Sequence, residues 1–394
     1  MSYYYIPEMS NVKKNIYVIK DSSDGSYEEY TKEELLEEMD RGVTYLNLPP
    51  SVTSGNRFLA KAKERADDEF YTMLSDIEEE IAGYDPSLFY DKTIYLPTDV
   101  AYQHGRIPRS EFVHYFQMNV DKLKFRRLIA TCLSEKVDNE DEAYNHYEMV
   151  RNDDGTYREE YSHLAPDGGF AAFGLGYDSG DFRSKECTEL LKQSDIVVTN
   201  PPFSLFSEFF KWLIDENGVL KPTILVGDIN AAGYKVVAPY IISGELGRGY
   251  SANRKNWDFM RPNVDSDGIK DELTTLRTTC FYTNMPNKRI IPPLQLSEHY
   301  YEDDGVTPLP DIDKKYPKYE YYDLIDVGKV PDIPDDYFGA MAVPITFLYK
   351  HCKEQFEILG VSKLGEYDIH DFILESGGEP YKRIVIKRVV EDKP

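Results

Sequence analysis

The sequence is poor in cationic residues and lacks long apolar runs. Lys and Arg together number 45 against 70 Asp and Glu, which gives the 394-residue chain a net charge of -25. This balance excludes a histone-like protein that binds nucleic acid through bulk positive charge, so any polyanion site must be local. No apolar run reaches the roughly 18 residues that cross a membrane, and residues 1–14 lack the apolar core of a signal peptide. We therefore expect a cytoplasmic protein without membrane association.

Cysteine and histidine are also scarce. The four cysteines lie far apart and form neither a CxxC motif nor a disulfide-scaffold pattern, so we expect buried thiols: Cys132, Cys187, Cys280 and Cys352. The seven histidines show no HExxH motif and no Cys/His knuckle. The sequence therefore predicts no metal site.

The composition is otherwise that of a folded protein. Apolar residues make up 41% and aromatic residues 13% of the chain, so the mean hydropathy of -0.53 does not indicate disorder. At about 150 residues per domain, the length allows two to three domains or one large α/β domain with additions. Residues 1–55 are polar and turn-rich with one helical pattern at 31–39, and Pro-, Asp- and Tyr-rich sequence begins near residue 290. We therefore expect an N-terminal extension (1–55), a central domain (56–290) and a C-terminal region (291–394).

Short β-rich runs alternate with helical or turn material after residue 90. This alternation predicts an α/β fold with a parallel, doubly wound sheet, whose runs lie at 93–96, 127–131, 196–199 and 223–226. An acidic stretch at 135–169 predicts a long surface loop or an inserted lobe. The run at 278–283 is typical of an edge or antiparallel strand, and further strand-like runs lie at 356–361 and 384–390.

A helical pattern at residues 57–81 is interrupted in its middle. The interrupting tripeptide, Phe70-Tyr71-Thr72, favours extended structure or a turn because two aromatics and a β-branched residue follow one another. We expect a short non-helical segment at this point.

The strongest motif is Asn200-Pro201-Pro202-Phe203, within the run SDIVVTNPPFSLFSEF. It follows an apolar β-branched run, so it is predicted at the carboxyl end of a buried strand, where doubly wound folds bind their ligands. The Asn200 side-chain oxygen and the Pro201 carbonyl could hold both hydrogens of a nucleobase amine and stabilise the charge that develops as a methyl group arrives. Phe203 offers a ring on which a flipped-out base can stack. The alternative interpretation is a turn that ends the strand.

Asp181 and Phe182 form a second candidate pair, about twenty residues upstream, after a strand-like run at 169–175. An acidic residue in this position can accept a hydrogen bond from the adenine amine of a nucleotide-like cofactor, while the aromatic ring packs on the adenine. The alternative is an ordinary helix N-cap, because the helical pattern ECTELLK follows.

These residues resemble the adenine-specific DNA methyltransferases of the EcoRI modification-methylase type. The resemblance implies a site-specific enzyme that transfers a methyl group from S-adenosylmethionine to the amino group of adenine in DNA. It implies a Rossmann-like, mixed, seven-stranded methyltransferase sheet with an added target-recognition region, which we place in residues 291–394. The matching segments are collinear and lie at 66–81, 110–131, 180–209, 229–235, 277–284, 317–327 and 342–360.

The resemblance also assigns site residues. It marks Asn200, Pro201, Pro202 and Phe203 as the catalytic motif. Two segments are similar to cofactor-contacting motifs, one before the first strand and one in the loop that follows it: Phe70, Tyr71 and Thr72, and Pro97, Thr98 and Asp99. The sequence departs from the general methyltransferase pattern here, because no GxG follows the first strand. Residues 101–109 also resemble an insertion relative to the family, since the match resumes at Ser110. Glu135 is the nearest candidate for binding the cofactor ribose.

A locally basic segment offers a DNA contact in spite of the acidic chain. Residues 246–290 contain eight cations against five acids, a net charge of +3. Duplex DNA binding depends on Lys and Arg contacts to phosphate, so this segment is predicted to form part of the DNA cleft. Its candidate contacts are Arg248, Arg254, Lys255 and Arg277.

Three other functions fit parts of the same sequence. A methyltransferase that acts on RNA or on protein glutamine could use the same tetrapeptide, although the large C-terminal region argues against a minimal enzyme of that kind. A non-catalytic DNA-binding or DNA-mimicking protein would explain the negative charge but not the intact motif. We expect a monomer that acts on duplex DNA and requires no cognate restriction endonuclease for its activity.

Overall fold

A computed structural model describes residues 3–5, 17–21, 26–31, 45–46, 71–99, 110–133, 144–164, 180–252, 257–265, 268–361 and 373–389. Several predictions lie outside these residues. They are the helix from residue 32 onward, the helical pattern before residue 71, the run at 169–175, Phe70, Glu135, Arg254 and Lys255.

The described part of the N-terminal extension contains a small sheet. Its strands are β1 (Tyr3–Tyr5), β2 (Tyr17–Asp21), β3 (Tyr27–Tyr30) and β4 (Tyr45–Leu46). The order across the sheet is β3-β2-β1-β4. The β-strands were not predicted from the polar, turn-rich composition of this segment. The next strand, β5 (Tyr71–Thr72), pairs with a distant ribbon described below.

A mixed sheet of eight strands forms the centre of the described structure. Its strands are β6 (Thr93–Pro97), β7 (Arg127–Thr131), β8 (His146–Arg151), β9 (Tyr157–Ser162), β10 (Ile196–Thr199), β11 (Thr223–Asp228), β12 (Gly247–Arg248) and β15 (Thr279–Thr283). The order across the sheet is β12-β15-β11-β10-β6-β7-β8-β9. The four central strands are parallel, and the outer pairs on both sides are antiparallel.

Helices cover both faces of this sheet. Side chains of β10 alternate between the faces: Ile196 and Val198 join one buried cluster, and Val197 joins the other. Strands buried on both faces read as continuous apolar runs, which is why the central strands were predicted correctly. The helices are α1 (Leu74–Ala82), α2 (Glu111–Met118), α3 (Val120–Leu123), α4 (Lys185–Gln193), α5 (Phe206–Trp212), α6 (Ala238–Ile242) and α7 (Ile312–Lys315). Helices α1 and α2 pack on the Ile196 face, and α4, α5 and α6 pack on the Val197 face.

The structure confirms an α/β fold with a large mixed sheet. The four predicted parallel strands are present, and the run predicted at 278–283 is β15, which pairs antiparallel with β11. It is not an edge strand, because β12 pairs with its other side. The described part of the sheet has eight strands where the resemblance implied seven.

The acidic stretch predicted as a loop or lobe contains a β-hairpin. Strand β8 pairs with the edge of β7 in register, with Tyr147 opposite Ala130, and β9 pairs with β8. Alternate residues of β8 face the core, since Tyr147 and Met149 are buried. The prediction of a loop was therefore wrong for 144–164, because the charge of the stretch concealed an apolar–polar alternation, whereas the alternative of an inserted lobe stays open.

A long two-stranded ribbon lies between β12 and β15 in the chain. It consists of β13 (Trp257–Asp265) and β14 (Gly268–Leu276), which pair over their whole length. At the base of the ribbon, Phe259 lies opposite Thr72 of β5. Tyr71 and Thr72 are therefore extended, as predicted for the interruption in the helical pattern, and α1 begins two residues later.

A fourth sheet forms the C-terminal region. It contains β16 (Leu324–Asp326), β17 (Ala340–Pro344), β18 (Phe356–Val361) and β19 (Arg383–Arg388), in the order β16-β17-β19-β18. The two strand-like runs predicted there are thus confirmed as β18 and β19. One hydrophobic cluster includes Val197 of the main sheet together with Phe356 and Ile384. The boundary near residue 290 stays a prediction, and the core is continuous across it.

All four cysteines are buried and free, as predicted. Among the described residues, no helix is both long and apolar enough to span a membrane.

Candidate active site

The predicted catalytic motif lies at the point where the order in which successive strands are added to the sheet reverses. Strand β6 leads to β7 on one side, and β10, its other neighbour, leads to β11 on the opposite side. In open α/β sheets, ligands bind in the crevice outside the carboxyl ends of the strands at this switch point. Asn200 follows β10 directly, and Thr98 follows β6.

Three predicted segments meet in this crevice. The Asn200 side-chain Nδ2 donates a hydrogen bond to Thr72 Oγ1 at 3.2 Å. The Thr98 hydroxyl donates to the Asn200 carbonyl oxygen at 3.4 Å. Thr98 has a φ of 69°, an unusual backbone conformation for a β-branched residue and one that concentrates at ligand sites. The structure thus brings together the tetrapeptide, the segment before α1 and the loop after β6.

The rest of the tetrapeptide forms the start of a helical segment. Pro201 is buried, and Pro202 and Phe203 are half-buried. Phe203 begins a single 3-10 turn (Phe203–Leu205) that leads into α5, and its ring packs beside the cluster under α1 and α2. The motif is therefore also a turn, as its alternative interpretation stated, and the two interpretations are compatible.

Asp99 lies beneath the crevice and supports it. Its carboxylate accepts hydrogen bonds from the hydroxyl of Ser110, the N-cap of α2, and from Thr199 Oγ1 at 2.6 Å. Its backbone N–H donates to the Thr131 carbonyl at the end of β7. Burial raises the pKa of the Asp99 carboxyl to about 7, although both hydroxyl contacts act to lower it. Asp99 therefore joins β6, β7, β10 and α2 just below Asn200.

Ser110 and Thr199 were not singled out from the sequence. Each could have been noticed, because Ser110 precedes a helical pattern as an N-cap and Thr199 is the last residue before the tetrapeptide. Their contact with Asp99 spans eleven residues in one case and one hundred in the other. Local sequence patterns do not reveal contacts between residues that are this far apart in the chain.

Asp181 and Phe182 stand at the same sheet edge, beside the end of β7. Gly180 has a φ of 79°, and a Cβ on it would lie 1.8 Å from the Cys132 carbonyl oxygen, so only glycine fits. Asp181 is buried and binds the Arg183 guanidinium through both oxygens, at 2.9 and 2.8 Å. Phe182 is buried edge-on against Phe209. The helix N-cap is Ser184, not Asp181.

The two predicted DNA contacts that lie among the described residues, Arg277 and Arg248, differ in their exposure to solvent. Arg277 is exposed just after β14. Arg248 is instead buried, with 6% of its surface exposed, and its guanidinium lies over the rings of Tyr282 and Tyr349 at 5.1 and 4.4 Å. The expectation that Arg248 contacts DNA is therefore corrected: as part of the short strand β12, its side chain packs inward, where aromatic faces offset its charge.

A buried glutamate that the sequence analysis missed anchors the ribbon side of the site. Glu80 of α1 accepts hydrogen bonds from the Tyr84 hydroxyl at 2.6 Å and from the backbone N–H groups of Tyr250 and Ser251 at 2.9 and 2.8 Å. These contacts tie α1 to the loop that follows β12. Glu80 stands in a run of three glutamates, but it lies one helical turn from Ile77 and Asp76 on the buried face, a position that could have identified it.

Comparisons with known proteins agree with this arrangement. The family profile described as "Adenine-specific methyltransferase EcoRI" matches residues 58–388. The chain is 35% identical over 345 residues to the Type II methyltransferase M.EcoRI of Escherichia coli, covering 84% of this chain and 96% of that protein. It is 28% identical over 357 residues to M.MgeORF184P of Mycoplasma genitalium, covering 83% and 98%, and 31% identical over 311 residues to M.MpnI of Mycoplasma pneumoniae, covering 77% and 85%. Both are named Type II methyltransferases.

No solved structure matches the chain significantly. The profile covers most of the chain, and the chain matches M.EcoRI and M.MgeORF184P over nearly the whole length of those two proteins. The predicted resemblance is thereby confirmed: the chain belongs to the EcoRI family of adenine-specific methyltransferases and is a DNA methyltransferase of restriction–modification type.

Proposed function

We propose that this protein methylates the N6 amine of adenine in duplex DNA, with S-adenosylmethionine as the methyl donor and with the target base flipped out of the helix. The observation that carries the proposal is the position of Asn200, at the switch point of the sheet and in contact with both Thr72 and Thr98. The names of the family and of its Type II relatives support the same chemistry.

In this proposal, Asn200 and Pro201 bind the reacting amine. The lone pair of an exocyclic amine is delocalised into the base, which makes the nitrogen a poor nucleophile. Acceptance of its two hydrogens by the Asn200 Oδ1 and the Pro201 carbonyl favours a tetrahedral nitrogen and stabilises the developing positive charge. Pro201 and Pro202 restrict the backbone, so the carbonyl loses little freedom when the base binds.

Phe203 would hold the base that enters the crevice. Its ring is half-buried, so the cluster under α1 and α2 supports the ring while part of its surface stays accessible. Stacking of a nucleobase on an aromatic ring contributes about 1–3 kcal/mol and repays part of the cost of extruding the base.

The position of the segments that meet at Asn200, at the carboxyl ends of the parallel strands, supports a nucleotide-like methyl donor here, because such folds bind their ligands at that edge. When bound, S-adenosylmethionine supplies a methyl group on a positively charged sulfur. Tyr71, Pro97 and Thr98 would hold it, since they belong to the two segments that contact Asn200 through Thr72 and Thr98. Asp99 would act indirectly, because Ser110 and Thr199 already occupy its carboxylate oxygens. A role for Asp181 requires that it serve the cofactor together with Arg183.

Duplex DNA would contact the ribbon of β13 and β14. A two-stranded ribbon has the dimensions to enter a major groove, and this one is rooted beside Thr72 at the site. Exposed Arg277 lies at its base. In our proposal the C-terminal region adds to target recognition, the protein acts as a monomer, and no endonuclease is needed for methylation.

The experiment that tests this proposal is sequencing of DNA from cells that express the protein, with detection of modified bases. We expect N6-methyladenine within one short sequence, and a much smaller methylated fraction of those sites with an Asn200→Ala variant. Parallel transfer of tritiated methyl to DNA, RNA and protein distinguishes the alternative substrates. Methylation of RNA or protein alone, or no methyl transfer by folded protein, would overturn the proposal.

A further inference from the structure

The side chain of Asn200 is held by a residue that lies 128 positions earlier in the chain. Asn200 Nδ2 donates to Thr72 Oγ1 at 3.2 Å. Thr72 has 4% of its surface exposed, so water competes little for this hydrogen bond.

The position of the Thr72 hydroxyl is itself firmly determined. Thr72 pairs with Phe259 of β13, whose side chain is completely buried. Helix α1 begins at Leu74, and its residues Ile77 and Ile81 belong to the core under the sheet. The hydroxyl is therefore attached to a backbone that is fixed on one side by strand pairing and on the other by helix packing.

The geometry of an amide makes this contact relevant to catalysis. The carboxamide of asparagine is planar, with nitrogen and oxygen on opposite sides of its axis. A hydrogen bond that holds the nitrogen toward β5 therefore also determines where the oxygen points. Misplacement of a reacting group by about 1 Å can cost on the order of 100-fold in rate.

We propose that Thr72 is a positioning residue that holds the Asn200 amide in the orientation needed for methyl transfer. This inference rests on the proposed function of Asn200. It assigns to Thr72 a task different from the cofactor contact that the resemblance implies, because the hydroxyl acts on Asn200 and through it on the target amine.

Two variants separate these tasks, one that keeps the shape of the side chain and one that keeps its hydroxyl. Thr72→Val keeps the β-branched side chain and removes the hydroxyl, while Thr72→Ser keeps the hydroxyl. We expect Thr72→Val to lower the single-turnover rate of tritiated methyl transfer to unmethylated genomic DNA by on the order of 10- to 100-fold at saturating cofactor. Its Kd for S-adenosylmethionine, measured by calorimetry, should be unchanged, and Thr72→Ser should restore most of the rate. In an Asn200→Ala background, Thr72→Val should have no further effect.

Other outcomes would overturn the inference. A raised Kd for the cofactor with an unchanged transfer rate would make Thr72 a cofactor contact only. A wild-type protein that methylates nothing would refute the proposed function. A second measurement, which needs no activity, then tests the contact between Thr72 and Asn200. In protein labelled with ¹⁵N-asparagine, the NMR signal of the Asn200 side-chain amide is identified as the one that is missing from the spectrum of the Asn200→Ala variant. In Thr72→Val its amide protons should exchange faster with water, and an unchanged exchange rate would contradict the contact.

Discussion

At the residue scale, the proposed function gives Asn200 and Phe203 different tasks, although they belong to one tetrapeptide. Asn200 is half-buried and hydrogen-bonded to Thr72, whereas Phe203 presents part of its ring beside the core. An acceptor acts mainly when charge develops in the transition state, and an aromatic ring acts mainly when the base binds. Substitutions at the two positions should therefore change different steps.

We expect Asn200→Ala to lower kcat by on the order of 10²–10³-fold, the typical loss when one preorganised polar group is removed. Binding of S-adenosylmethionine should change little, because the acceptor serves the target amine. Single-turnover kinetics and calorimetry measure the two quantities. Normal turnover on adenine would show that the tetrapeptide is only a turn at the end of β10.

Phe203→Ala should reduce both turnover and retention of the flipped base. With 2-aminopurine at the target position, the fluorescence increase that accompanies base flipping should be lost. Phe203→Trp is the matched control and should keep much of the activity, since the stacking role requires an aromatic face and no particular ring. Equal fluorescence in Phe203→Ala and wild type would contradict the stacking role.

Asp99 should make the stability of the protein depend on pH. Burial raises its folded-state pKa to about 7, so between about pH 4 and about pH 7 the folded protein binds a proton that the unfolded chain has released. The contribution of this group to the free energy of unfolding must therefore fall as pH rises through that range. We expect Asp99→Asn to remove this contribution in urea unfolding at several pH values, whereas exposed Asp153→Asn should preserve it. Parallel pH profiles for wild type and Asp99→Asn would contradict the raised pKa.

At the scale of elements, the base of the ribbon lies beside the candidate active site. This base is paired with β5, which contacts Asn200, and the loop before the ribbon is held to α1 by Glu80. The far end of the ribbon is separated from this base by most of the length of a nine-residue strand. The far end can therefore be altered without removing the contacts at the site.

Replacement of residues 262–271 by an Asn-Gly turn should weaken DNA binding by about tenfold or more, the loss expected from one base contact. Binding of S-adenosylmethionine should be unaffected, since Phe259 and Thr72 keep their pairing. The control is the same turn in place of residues 152–156 in the β8–β9 hairpin, at the opposite end of the sheet. Fluorescence anisotropy with labelled duplex DNA compares both variants. Equal affinities would exclude the ribbon from the DNA interface.

At the scale of the whole molecule, charge limits how the protein binds DNA. The chain has a net charge of -25, residues 246–290 carry a net charge of only +3, and one of their cations, Arg248, is buried. Each phosphate contact adds about -0.9 to the slope of log K against log salt. The slope should therefore be shallower than for a protein with a wholly basic face.

Charge reversal of Arg254 and Lys255 should weaken DNA binding to all sequences about equally, while charge reversal of the exposed residues Lys350 and Lys353 should not. Unchanged binding would place the cleft in another segment.

The sequence by itself determined the central strands, the position of the tetrapeptide at the end of β10, and the family. Strands such as β7 and β10 were predicted to the residue, because strands buried on both faces need continuous β-branched and apolar residues. The tetrapeptide was recognised because its chemistry resides in consecutive residues. The interruption before α1 was also predicted, since Tyr71 and Thr72 favour extended structure.

The tertiary structure decided which distant residues meet and which charges are exposed. The contact between Asn200 and Thr72 depends on the pairing of β5 with β13, and no local pattern specifies that pairing. Burial of Arg248 between the rings of Tyr282 and Tyr349 likewise results from packing. A side chain has the same formula in solvent and in the core, so its burial, its partners and its pKa depend on elements that come together only when the chain folds.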